Sequence, residues 1–113
     1  MDDSELERFY NRHGIVPECR SGWHPIIEDL DRKIAAIAPD YKAEQIKEKL
    51  GTLRFYFSEL TVDPDDWDAV YTLVDEAEEL SRSTCEVCGS TDATVGPRTR
   101  NQWIKTLCET HAN

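Results

Sequence analysis

Four side chains near the C-terminal end of the sequence can do coordination chemistry. They are Cys85, Cys88, Cys108 and His111, in the pattern Cys-x2-Cys-x19-Cys-x2-His. Two close pairs about 15 to 20 residues apart are the spacing of a structural zinc ribbon or a related finger. A two-residue gap lets the chain turn so that two thiolates meet one ion from the same side. Gly89 supplies the open backbone that such a knuckle needs. Three thiolates and one imidazole make a closed tetrahedron suited to Zn2+, an ion without redox chemistry. A filled tetrahedron has no place for water or substrate, so the pattern predicts one structural zinc ion rather than a catalytic one.

Other chemistries for these cysteines fit less well. A thioredoxin-like pair belongs at a strand-to-helix junction within a β-α-β pattern, and this pair follows a helix and precedes a hairpin. A disulfide framework calls for an oxidising compartment and gives His111 no role. A zinc-dependent nuclease of the HNH type needs a catalytic histidine on the hairpin, and positions 90–107 contain none. Cys19 stands apart from the cluster and reads as a small buried residue. As a nucleophile it would need a base, and His13 and His24 are near it in sequence only. The sequence has no Gly-rich phosphate loop, no nucleophile elbow and no carboxylate–histidine set at functional spacing, so it does not read as an enzyme.

The elements that must position the four ligands can be read outward from them. The nineteen residues between the pairs suffice for a hairpin. Val95-Gly96-Pro97 and Trp103-Ile104 fit its arms, and Arg98 to Asn101 fit its tip. Thr106 and Glu109 have the T-x-x-E spacing of a capping box, which would start a helix carrying Cys108 and His111 on one face. Hairpin plus helix resembles a treble clef, with a plain zinc ribbon as the alternative. This module covers 84–113.

Residues 1–83 read as an α+β core. Ser4 and Glu7 predict a cap for a helix over about 4–13, closed by Gly14. Pro25 fits the first turn of a second helix over about 25–38. There Ile26, Leu30, Ile34 and Ile37 form the apolar stripe, Asp29, Asp31, Arg32 and Lys33 face outward, and Pro39 ends the helix. Trp23 reads as a core anchor, and His24 as packing at the helix entrance. Residues 42–58 predict a hairpin about Gly51, with Leu53, Phe55 and Phe57 on one face and Arg54 and Tyr56 on the other. Its first strand could equally be a short helix. Asp63 and Pro64 open a third helix over about 64–82, with a stripe of Trp67, Val70, Tyr71, Val74, Ala77 and Leu80–Ser81.

Charge narrows the partners. The 113 residues carry a net charge of −10, which argues against unaided binding to nucleic acid or to an anionic membrane surface. The longest apolar run is Ile34–Ala38, too short to cross a bilayer. The N-terminus lacks a signal-peptide pattern, so a cytoplasmic setting with reduced thiols is expected.

Three surfaces could meet a partner. Asp63, Asp65, Asp66, Asp68, Asp75, Glu76, Glu78 and Glu79 lie in a stretch without Lys or Arg, and read either as a solvated face or as an acidic surface for a basic partner. Lys47, Lys49, Arg54 and Tyr56 read either as an exposed hairpin face or as a contact for an acidic or phosphorylated partner. Arg98, Arg100, Lys105 and Trp103 form a small basic cluster on the zinc hairpin, of the kind that touches nucleic acid.

The strings GWHPII, IKEKLGTLRFYF, a helix ending EELS, CEVCG and TLCETHA, taken together, resemble a family of small, uncharacterised proteins common in bacteriophage and prophage genomes. That family pairs a G-W-h-P segment, a K-E-K-x-G-x-L-R-F-Y segment and a terminal C-x-x-C/C-x-x-H. The resemblance covers roughly residues 18–112. Leu50 departs from it, since the family often has an aromatic before the glycine. The resemblance implies a phage or mobile-element origin and a host-cytoplasm setting, and supplies no mechanism. The expected role is a non-enzymatic, zinc-stabilised interaction protein that binds a host or phage protein. The alternatives are an acidic nucleic-acid mimic that inhibits a host defence complex, and a small zinc-hairpin nucleic-acid binder.

Overall fold

Helix α1 spans Asp3–His13, and its cap lies two residues before the expected one. Asp2, not Ser4, accepts the N–H of Glu5, whose carboxylate reaches back to the Asp2 N–H. Either register offers a carboxylate or hydroxyl cap. The earlier one puts Phe9 and His13 on the buried side. The computed structural model describes residues 1–112, and the side chain of Arg100, a candidate contact, lies outside the described residues.

After a single 3-10 turn at Ser21–Trp23, helix α2 runs from His24 to Ile37 with Pro25 in its first turn. Strands β1 (Ala43–Lys49) and β2 (Thr52–Phe57) form an antiparallel hairpin, which settles the helix-or-strand ambiguity of the first arm. Leu50 and Gly51 both take positive φ, 55° and 80°, as a two-residue hairpin loop of the primed type requires. Asp63 caps a 3-10 turn at Pro64–Asp66 by accepting the Asp65 N–H, and α3 follows at Trp67–Ser81. Strands β3 (Gly96–Arg100) and β4 (Trp103–Leu107) form a second antiparallel hairpin. The fold class is α+β, with three helices and two small sheets.

One apolar cluster joins Ile27, Leu30 and Ile34 of α2, Val70, Val74 and Ala77 of α3, and Ile46, Leu53, Phe55 and Phe57 of the first hairpin. Trp23 is fully buried, as an anchor should be. Two outer rims of the first sheet are blocked. Helix α3 covers the β2 rim with side chains, since the Leu53 N–H donates to Ser81 Oγ (2.9 Å) and the Phe55 N–H to Glu78 Oε2 (2.9 Å). Glu18 lies beside Lys47 as a parallel bridge along β1.

The structure corrects the expected outward orientation of Asp31. It is buried, and three residues converge on it. Arg12 donates twice (2.6 and 3.2 Å), His13 Nε2 lies at 2.9 Å, and the Tyr41 hydroxyl donates to the same carboxylate. The Ala43 N–H donates to His13 Nδ1 (3.0 Å), so Nε2 carries the proton toward Asp31. Burial pushes the Asp31 carboxyl up, but these hydrogen bonds and the Arg12 charge outweigh it and hold it well below the usual range. A carboxylate–histidine pair is therefore present after all. Both imidazole nitrogens are engaged, so it is a closed structural knot.

Candidate metal centre

The four candidate ligands sit at three places in the second half of the chain. Cys85 and Cys88 lie on the knuckle that follows α3. Cys108 directly follows β4, and His111 ends a single 3-10 turn at Glu109–His111. The expected capped α-helix is absent there. Thr106 belongs to β4, and its hydroxyl donates to Gly51 O (2.6 Å) instead of capping a helix. A 3-10 turn eclipses residues three apart, so Cys108 and His111 still share a face. The hairpin tip also differs from expectation. Asn101 and Gln102 form the two-residue loop with φ of 50° and 72°, and Arg98, Thr99 and Arg100 belong to the β3 arm.

The four donor atoms lie within 4.8 Å of one another. Cys88 Sγ is 3.7 Å from Cys108 Sγ. His111 Nδ1 is 3.2 Å from Cys108 Sγ and 3.8 Å from Cys85 Sγ. A tetrahedral ion with thiolate bonds of about 2.3 Å and an imidazole bond of about 2.0 Å has S–S edges of about 3.8 Å and S–N edges of about 3.5 Å. The Cys88–Cys108 separation matches the first, the two His111 separations bracket the second, and every other pair of donors lies within 4.8 Å. The residues fit one tetrahedral metal ion.

The surroundings favour the thiolate at Cys85. Burial pushes the Cys85 thiol up, but backbone N–H groups of Cys108, Cys88 and Val87 point at its sulfur and bring it down to about 6. The Ser90 amide favours the Cys88 thiolate, but the neighbouring sulfurs of Cys108 and Cys85 outweigh it at this exposed position, so that thiol is raised. Two thiols this close cannot both ionise freely without a cation between them. Gly89, at φ 79°, turns the knuckle so that its N–H returns to Cys85 O (2.8 Å).

The knuckle is clamped to the core by residues that were not predicted to touch it. A Cβ on Gly22 would stand 2.3 Å from Cys85 O and 2.4 Å from Glu86 O, so only glycine fits. The Gly22 N–H donates to Glu86 O (2.7 Å), and Trp23 Nε1 donates to Thr84 O (2.9 Å). The turn of the first hairpin holds β4 in the same way. A Cβ on Gly51 would meet Ile104 and Thr106 at 3.2 Å. Lys105 pairs with Glu48 and lies 3.9 Å from the buried carboxylate of Glu86, which also accepts the Arg20 N–H (3.2 Å). The Gly-Trp and Lys-Glu-Lys-x-Gly segments are thus docking elements for the metal module. The glycine of a hairpin turn marks Gly51 in the sequence, whereas no local pattern marks Gly22.

The other candidate residues fall as follows. Cys19 is half-buried beneath the knuckle, and burial, with Glu86 and Glu48 adding, pushes its thiol up to about 12. It is not an activated nucleophile. His24 is buried at the start of α2 with Nδ1 3.0 Å from the Met1 amino group. The register places Arg98 opposite Lys105 and Arg100 opposite Trp103. Trp103 is 69% exposed, but Lys105 is tied to Glu48, and Arg98 donates to Thr94 O (2.7 Å). On the third helix Asp68, Asp75, Glu76 and Glu79 are exposed, as are Asp63 and Asp65 before it, while Asp66 is half-buried. Glu78 is spent on the Phe55 N–H. Lys47 and Arg54 face each other across the first hairpin, with Lys49 and Tyr56 beside them.

The molecule is therefore an α+β protein with a Cys3His group able to hold one metal ion. No family model matches the chain, and no curated protein or solved structure matches it. No helix among the described residues is long and apolar enough to cross a membrane.

Proposed function

We propose that this chain is a non-enzymatic interaction protein, stabilised by one structural Zn2+ ion, that serves a phage or mobile element by binding a host or phage protein in the cytoplasm. The observation that supports this most is the closed donor set. Cys85, Cys88, Cys108 and His111 supply a full tetrahedron, and soft thiolates with one imidazole favour zinc. The ion joins the end of α3, the knuckle and the end of β4, and so organises a module with little core of its own. Three thiolates and a divalent ion add one negative charge to the chain.

The exposed carboxylates of Asp68, Asp75, Glu76 and Glu79 along α3 favour a second reading, an acidic surface that mimics nucleic acid toward a basic defence protein. The nucleic-acid-binding reading loses ground because Lys105 and Arg98 are already engaged.

Elemental analysis of protein prepared without chelators should give one zinc per chain, and absence of stoichiometric metal would overturn the structural-zinc reading. Affinity capture from host lysate, with and without nuclease, tests the interaction role. A partner retained after nuclease treatment supports it. Binding lost when Asp65, Asp66 and Asp68 become Asn would favour the acidic mimic.

A further inference from the structure

We infer that the outer face of the β1–β2 hairpin is the partner-binding surface, and that it takes a short carboxylate-rich segment of a partner protein. This rests on the interaction role proposed above and names its surface. Strand alternation puts Gln45, Lys47, Lys49, Thr52, Arg54 and Tyr56 on the face turned away from the apolar cluster. Three cations stand on that face, with the exposed Glu18 and Glu44 beside Lys47 at one end, in a chain with 23 Asp and Glu against 13 Lys and Arg.

Five other cations are neutralised within the chain, while Arg8, Arg20, Lys42 and Arg98 stand apart from one another, on separate segments, without a carboxylate partner among the described residues. Arg12, Arg32, Lys33, Arg82 and Lys105 each have a carboxylate partner within the chain. Among the described residues, the side chains of Lys47, Lys49 and Arg54 have no ion pair or hydrogen bond. The carboxylates nearest this face, Glu18 and Glu44, make no ion pair with its cations among the described residues. Glu18 and Glu44 mark its end, beside Gln45, Lys47 and Tyr56. Arg54 adds an independent observation. Its Nε is shut off from solvent without an acceptor. A rotation that turned the Nε edge toward an incoming carboxylate would give it a bidentate partner. Tyr56, 46% exposed, offers a flat apolar ring and a hydroxyl beside the cations.

Charge decides between classes of anion. A long polyanion such as DNA would meet the field of a molecule with net charge −10, including the exposed acids of α3. A short segment needs only the local cations, which act within about 10 Å at ordinary salt.

The test uses the full, zinc-loaded chain in fluorescence anisotropy with a fluorescein-labelled peptide of alternating Glu and Leu. Matched Lys-Leu peptide and single-stranded DNA serve as the comparison probes, and sedimentation monitors self-association. The expected result is saturable, salt-weakened binding of the Glu peptide alone. It should weaken at least tenfold in the combined variant Lys47→Gln, Lys49→Gln, Arg54→Gln and stay unchanged in Arg8→Gln. Tighter binding of DNA, self-association abolished by the triple variant, or no binding at low salt would each overturn the inference. A captured partner that binds the triple variant as well as the parent would overturn this surface while leaving the interaction role intact.

Discussion

Two clusters of converging polar groups hold this molecule, and they are built on opposite principles. At one, Arg12, His13 and Tyr41 surround Asp31, and every partner is a protein atom. At the other, Cys85, Cys88, Cys108 and His111 face one another with no protein cation among them. The first is complete on folding. The second is a set of acceptors that repel one another once ionised, and on the structural-metal reading it closes around an ion. The difference follows from what surrounds each. The Asp31 knot lies against a large apolar cluster that fixes its helices independently. The metal module has short strands and one 3-10 turn, so its own packing cannot hold the ligands in place.

The strongest way to break this contrast is to remove the ion. Chelation, or Cys108→Ser, should forfeit stabilisation on the order of 10 kcal/mol in the module. Hydrogen exchange should then show rapid exchange over 84–112 with the central turns of α2 and α3 still protected. Uniform loss of protection would show that the two regions are not separable.

Next in size is Asp31→Ala. It leaves the buried His13 Nε2–H and Tyr41 hydroxyl without their acceptor, while the half-exposed Arg12 turns to water, and should cost about 1 to 3 kcal/mol for each stranded donor in denaturant unfolding. Metal content should be unchanged. The same group sets an acid limit. Its folded-state affinity for protons is depressed, so its stabilisation is fully present above the unfolded carboxyl value of about 4. Stability is lost as pH falls below that value. A melting series from pH 6 to 2 on parent and Asp31→Asn should show a steeper acid decline in the parent.

A smaller effect sharpens the boundary between the regions. Gly22→Ala drives a methyl into the Cys85 and Glu86 carbonyls, and overpacking of this kind costs about 1 to 3 kcal/mol. The loss should appear as weaker zinc retention against a competing chelator, because the strain falls on the knuckle. Thr106→Val is the mildest. It removes the hydrogen bond to Gly51 O and should cost about 1 kcal/mol, with the metal retained.

The ligands were legible because Cys-x2-Cys and Cys-x2-His spacings encode local turns, and local turns survive in sequence. The secondary structure was legible where periodicity was long, as in α2 and α3. The second half of the metal site was misread because Thr106 and Glu109 satisfy a local capping rule, while tertiary contact with Gly51 draws Thr106 into a strand. Asp31 was misread because a charged residue was assigned to solvent. Its position carried the opposite signal, since it stands at helical spacing from Ile27, Ile34 and Ala38, all buried. The docking role of Gly22 was invisible for a different reason. A close approach between residues 22 and 85 is a fact of three-dimensional packing that no local pattern records.

The side chains that stopper the rim of β2 come from the last turns of α3, and those turns run directly into the knuckle. Fraying that begins at the empty ligand set therefore unplugs a strand reading TLRFYF, rich in residues that favour intermolecular pairing. On the structural-metal reading, chelation should open a route to fibrils as well as loosen the tail, and thioflavin fluorescence of warmed, chelated samples should rise; an unchanged signal would show that the rim stays covered.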